Sequence, residues 1–440
     1  MTTEERKKRA WAEIDAARDQ ILSLGHAIYA DPETGYKEFH TADRLAERLE
    51  ALGLQVTWGA AYTGVVGKAQ KQKQGRRIAV IGELDSVINP QHPDAAKETG
   101  NVHACGHNIQ VTMMYAVARA LVPTGILEEL DGNVTFVGVP AEEYVELEYR
   151  TELKEAGKIK YFAGKPQMVY EGVFDDVDMA MMAHNYDLTP WNARCCPANA
   201  WNGFIGKQIR FLGKASHAGA APWDGVNALN MAALALNNIH AQRETFRDDD
   251  KVRIHQIITE GGQVVNTVPG EVVMESTVRA RNVPALIDAN NKVNRSIHAA
   301  ALALGGHAEV YDTPGQMPLR YNQDLAELFT QNARYFYKES EIQPFVDTTA
   351  STDMGDLSLL MPILHSFSGG IRGGLHAADY RIVDEEDAYL TPAKIFCGML
   401  IDLLSDGGAK AEAVLKNFTP VYDKQGYLAM LDSMEQEITY

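Results

Sequence analysis

At 440 residues, with 45% hydrophobic and 23% charged residues, the chain is long enough for two or three domains with sizeable cores. Its net charge of −18 opposes a nucleic-acid backbone as partner, and no apolar run reaches the ~18 residues of a membrane span. The four cysteines (Cys105, Cys195, Cys196, Cys397) form no disulfide framework, and the N-terminus leads into a polar helix rather than a signal peptide. Together these point to a reducing, cytoplasmic setting.

Residues 3–30 read as one amphipathic helix, because Ala10, Ile14, Ala17, Ile21, Leu24 and Ile28 keep helical spacing. Asp31-Pro32-Glu33-Thr34-Gly35 breaks it. A second helix is expected over 41–52, stopped by Gly53. Strands over 55–58 and 64–69 come next, then a buried strand over 78–82 that runs into Glu83 and Asp85. The stretch Asn101-Val102-His103-Ala104-Cys105-Gly106-His107-Asn108 follows. On an extended segment Cys105 and His107 point the same way and could reach a common metal. A helix over 110–121 is next, with Met113 and Met114 reading as core.

The apolar run 134–139 ends at Pro140-Ala141-Glu142-Glu143, and the run 177–183 ends at His184. Taken singly, a free Cys is usually a small buried hydrophobe, and paired Glu residues usually lie on a solvated helix face. Their convergence on the ends of apolar runs changes the reading, since open α/β sheets place their sites there. Cys, His and carboxylate together suit zinc, manganese, cobalt or nickel. Residues 144–165, dense in charge and tyrosine, start directly after Glu143 and so begin near the site. They read equally well as a solvated helix and loop.

Composition shifts at Trp201-Asn202-Gly203. Strands over 204–212, 252–260, 271–281 and 308–311, with helices over 225–242 and 284–304, give the split βαβ, ferredoxin-like order. This predicts an α/β chain with a first domain over 1–202, an inserted α+β domain over 203–314, and the first domain resuming over 315–440. The resumed part carries a helix over 324–337, a strand over 363–367, a helix over 391–404 and a helix-prone tail.

His103-Ala104-Cys105-Gly106-His107-Asn108 and Pro140-Ala141-Glu142-Glu143 resemble the two signatures of the aminoacylase and carboxypeptidase family of dinuclear metallohydrolases. The resemblance is to the branch of p-aminobenzoyl-glutamate and indole-acetyl-amino-acid hydrolases. Gly172–Asp178 before His184 and Ser351-Thr352-Asp353-Met354-Gly355-Asp356 ahead of His376 are similar too. The resemblance implies a zinc-peptidase-like catalytic domain, an inserted lid and dimerisation domain, and two divalent ions (Zn, Mn or Co). Cys105 would bridge the ions, His107 and His184 would complete one, and Glu143 and His376 the other. Glu142 would be the general base. Asp85 would orient a ligand, where the residues alone read equally well as a strand-end cap. His217, in Ala215-Ser216-His217-Ala218-Gly219, would stabilise the oxyanion in the partner subunit of a homodimer. Asn266 and Arg279 would hold the substrate's carboxylate, with Arg281 the neighbour easily confused with Arg279.

The implied activity is hydrolysis of the amide bond of a small N-acyl or N-aroyl amino acid. The alternatives are a dipeptidase or aminopeptidase on the same core, or a binding homologue that has lost turnover. Three features depart from the family: residues 144–165 replace small, Gly-rich residues, Asn108 stands where many relatives have Asp, and Ala377 follows His376 where a small polar residue is more usual.

Overall fold

Four strands buried at every position, Arg77–Glu83, Asn133–Val139, Met179–Asn185 and Ile363–Ser368, form the parallel centre of a seven-stranded sheet. They are apolar almost throughout because a parallel sheet is covered on both faces. Gln55–Ala60 and Gly64–Lys68 extend the sheet antiparallel on one side, and Cys195–Cys196 extends it on the other. The computed structural model describes residues 1–440. Its first unit comprises Met1–Asn199, Arg320–Asp347 and Leu357–Val421. Within it the helix His107–Leu121 packs on the strand Arg77–Glu83 and against the helices Arg18–Tyr29 and Thr391–Leu404. No single helix in the chain is long and apolar enough to cross a membrane.

The expected single helix over 3–30 is two, Thr3–Ala16 and Arg18–Tyr29, parted at Ala17 (φ −93°, ψ 10°). Its apolar stripe is continuous; both halves pack on the helix His107–Leu121, and the first packs on Thr391–Leu404 as well. A second difference lies at the motif. Residues 103–106 are a turn rather than an extended segment, and the helix begins at His107, three residues before the expected start.

The second unit comprises Ala200–Leu319, Thr348–Asp356 and Tyr422–Tyr440. Its strands stand in the order Arg253–Glu260, Glu271–Ala280, Gly203–Leu212, His307–Pro314, each antiparallel to its neighbour, with the helices Ala228–Ala241 and Val283–Leu304 packed on the sheet. That is the strand order of the split βαβ pattern. A fifth strand, Gln436–Thr439, pairs antiparallel with His307–Pro314. The tail therefore groups with this unit rather than with the resumed first domain. The Tyr427 hydroxyl strengthens the link, donating to Asp356 Oδ1 at 2.8 Å.

Candidate metal centre

The first unit gathers its polar side chains at the carboxyl ends of the parallel strands. Glu83 closes the strand Arg77–Glu83 and Asp85 follows it, Glu142 and Glu143 follow Asn133–Val139, and His184 lies at the end of Met179–Asn185. Gly106, at φ +81°, turns the chain between Cys105 and the helix that starts at His107. Only a residue without a side chain suits it, since a Cβ there would stand 2.6 Å from the Tyr380 hydroxyl. This turn, and not an extended segment, aims Cys105 and His107 at one point.

Two groups of donor atoms result, each within 4.8 Å across: Cys105, His107 and His184, and Cys105, Glu143 and His376. Cys105 Sγ is 3.4 Å from His184 Nε2, and His376 Nε2 is 2.9 Å from Glu143 Oε1. The His184 Nδ1 nitrogen lies 2.8 Å from the Asn185 carbonyl, which leaves Nε2 facing Cys105. Asp85, fully buried, has Oδ1 3.0 Å from His107 Nδ1, while its Oδ2 accepts from the Glu143 backbone N–H at 2.9 Å. It touches the ring of a donor in one group and the backbone of a donor in the other. His376 sits at φ +62° on a loop tied back to the motif, its N–H donating to the Ala104 carbonyl at 2.8 Å.

The electrostatics favour metal-ready donors. Burial and Glu143 push the Cys105 thiol up, but His107, His184 and His376 outweigh them and hold it at about 6. Burial pushes the Glu143 carboxyl up, yet the hydrogen bond and charge of His376, with His107, hold it at about 2. Thiolate and carboxylate are the forms a metal needs. His107 Nε2 is buried with no hydrogen-bond partner, although Glu83 Oε2 is 3.1 Å away. A ring nitrogen aimed into a polar cluster and left without a hydrogen bond fits a cation there. Soft sulfur, imidazole and carboxylate in one cluster match zinc, manganese or cobalt.

Glu142 is buried and brings Oε2 to 3.9 Å from His107 Nε2. Glu83, Glu142 and His107 form a third donor group. Glu83 was legible as a strand-end carboxylate, but nothing in the sequence marked it as part of the site.

Two further cations come from residues 144–165. Their outer face is solvated, but Arg150 and Lys165 are fully buried. Lys165 Nζ lies 2.6 Å from Glu83 Oε1. Arg150 donates to the carbonyls of Phe162, at 2.7 Å, and Glu143. The segment is thus half solvated helix and half wall of the site, and no local signal distinguishes the buried cations from their exposed neighbours.

The other expected site residues lie in the second unit. His217 is exposed, and its Nδ1 accepts from the N–H groups of Gly219 and Ala220 at 3.2 and 3.1 Å, which leaves the proton on Nε2. Its loop pairs with the one carrying Asn266, whose carbonyl accepts from Ala218 N–H at 2.9 Å. Arg279 lies over the Phe204 ring and donates to Ser351 Oγ at 2.6 Å, with no carboxylate partner. Arg281 is committed to Asn202 Oδ1 and the Thr348 carbonyl.

Residues 79–402 match the profile of peptidase family M20/M25/M40. The chain is 29% identical to a mouse Xaa-Arg dipeptidase, over 82% of this chain and 79% of that protein. It is 26% identical to a p-aminobenzoyl-glutamate hydrolase polypeptide of Escherichia coli, over 94% of this chain and 95% of that one. Among solved structures, a Bacillus subtilis protein described as a dinuclear metal-binding peptidase of the M20 family aligns with a TM-score of 0.67. The identity is 20%, covering 89% of this chain and 99% of that one.

Proposed function

The chain belongs to peptidase family M20/M25/M40, and from that premise we propose that it is a dinuclear metal amidohydrolase cleaving the amide bond of a small N-acyl or N-aroyl amino acid. The observation that carries this reading is the pair of donor groups that share Cys105, with the Glu142 carboxylate beside them. Cys105, His107 and His184 would hold one ion, and Cys105, Glu143 and His376 the other. The ions would supply Lewis acidity to the scissile carbonyl and to the attacking water. Glu142 takes the proton of that water and passes it to the leaving nitrogen. Asp85 keeps His107 and the Glu143 backbone in place.

Two sets of residues extend the reading. The His217 Nε2–H donor suits a developing oxyanion, in keeping with a lid role. Arg279, with no carboxylate of its own and a planar fork, suits the carboxylate of the amino-acid product, with Asn266 beside the lid loop. A homodimer fits the edge strand Arg253–Glu260, where Ile257 and Ile258 are exposed, and the fully exposed Val265 beyond it. Such a chain would work in a cytoplasmic setting on small-molecule substrates.

The test joins metal analysis to a substrate panel of N-acyl and N-aroyl amino acids, their C-terminal amides and dipeptides. We expect about two divalent ions per chain, loss of activity on chelation, and recovery with zinc, manganese or cobalt. The free acids are expected to outrun their amides. Full activity in metal-free protein would sink the proposal. The similarity to Xaa-Arg dipeptidases favours a dipeptidase as second reading; a requirement for a free amine in the panel would select it.

A further inference from the structure

By position alone Glu83 would be counted among the candidate metal ligands. Its Oε2 lies 3.1 Å from His107 Nε2, and with His107 and Glu142 it forms a donor group within 4.8 Å. Yet both its oxygens are engaged elsewhere. Oε1 meets Lys165 Nζ at 2.6 Å, and Oε2 accepts from Gln110 Nε2 at 2.9 Å. Lys165 and Glu83 are 0% and 1% exposed, so the pair is unscreened by solvent and one member cannot lose the other without leaving a buried charge. Gln110 is anchored in turn, since its Oε1 accepts from the Glu83 backbone N–H at 3.2 Å.

We propose that Lys165 is a positioning residue that holds Glu83 off the metal bound by His107, so that this ion keeps an open coordination position for water or substrate. The inference rests on the reading that the cluster holds metal. Charge supports it. Cys105, Glu83, Glu142 and Glu143 converge on the donor groups, and the buried Lys165 ammonium is the cation in contact with Glu83. Geometry supports it as well. Glu83 closes a central strand, with its Oε2 already 3.1 Å from the His107 Nε2 that would hold the ion. The countervailing bonds come from two other elements, the helix His107–Leu121 and the start of the helix Gly164–Glu171. A fourth protein ligand on that ion, beside Cys105, His107 and His184, would close the site, as in structural metal centres.

The experiment is a cobalt titration against a competing chromophoric chelator, with the visible spectrum of the cobalt protein recorded alongside. The proteins are the wild type, Lys165→Met, Glu83→Gln and the double variant. Two ions per wild-type chain test the metal reading itself; the differences between variants test this proposal. Glu83→Gln is expected to hold both ions within about threefold of wild type, because Glu83 is no ligand. Lys165→Met is expected to bind at least one ion about tenfold more tightly. Its cobalt absorption should be weaker, as coordination number rises, and both changes should vanish in the double variant. A larger affinity loss in Glu83→Gln would make Glu83 a ligand and overturn the proposal. Unchanged affinity and spectrum in Lys165→Met would also overturn it, reducing the pair to packing. Should Lys165→Met fail to fold, Lys165→Gln, which removes the charge and keeps a polar group, takes its place with the same two outcomes.

Discussion

Glu142 and Glu143 are neighbours with different surroundings, and the roles proposed for them follow that difference. Glu143 is tied to His376 at 2.9 Å, its backbone N–H is held by Asp85, and its carbonyl by Arg150. A carboxylate so fixed suits a ligand. Glu142 has its oxygen 3.9 Å from His107 Nε2 and belongs to neither donor group around Cys105, which would leave it free of the ions to take a proton. Glu142→Gln is therefore expected to keep metal content and fold while kcat falls by ~10²–10⁴, the range for general acid–base work. Glu143→Gln is expected to lose one ion and to regain part of its activity at high metal concentration. Metal analysis and kcat on the two purified variants check this, and the reverse pattern would exchange the roles.

The element that sets the centre's geometry is the turn into the helix His107–Leu121. An extended segment would also have brought Cys105 and His107 to one side, so that expectation survived while its structural reason changed. The turn works through Gly106, whose left-handed backbone and close approach to Tyr380 each exclude a side chain. Gly106→Ala is expected to cost roughly 1–3 kcal/mol of stability from strain and to weaken ion binding. Gly125 is a control, also left-handed at φ +73° but with nothing within 4 Å of a Cβ. Gly125→Ala should cost about 1 kcal/mol and leave ion binding alone. Denaturant unfolding and metal titration measure both, and equal effects at the two glycines would detach the turn from the site. The helices of residues 144–165 show a different lesson. A segment that looks solvated by composition turns two of its cations inward, because Glu83 and the Glu143 carbonyl are buried acceptors that need donors.

At the scale of the molecule, the proposed roles of His217, Asn266 and Arg279 fall to the second unit. If His217 acts on the site of a partner subunit, His217→Ala and Glu142→Ala chains are each inactive alone. Mixed and exchanged, they are expected to form heterodimers in which one of the two sites is complete. Activity per verified heterodimer should approach half that of the wild-type dimer. Heterodimers that stay inactive would return His217 to its own subunit or remove it from catalysis. In the proposed homodimer the edge strand Arg253–Glu260, with Ile257 and Ile258 exposed, would be the surface that meets the second chain.

Local pattern fixed much of this protein. Fully apolar runs marked the central strands, and polar residues at their ends marked Glu142, Glu143 and His184, because a buried parallel strand can place a polar group only where it emerges; Cys105 and His107 were marked by their spacing instead. Alternating strands and helices likewise gave the split βαβ order of the second unit. His376 is different: only its place in a family motif singled it out, and its approach to Glu143 depends on a loop tied to Ala104. Glu83 as a site residue, Lys165 and Arg150 as buried cations, the break at Ala17, and the strand Gln436–Thr439 joining the far sheet were decided by tertiary structure. In each case the deciding partner lies far along the chain: Lys165 answers a carboxylate 82 residues away. A charge in sequence carries no mark of whether it will face water or another charge, and only the packed fold supplies that second charge.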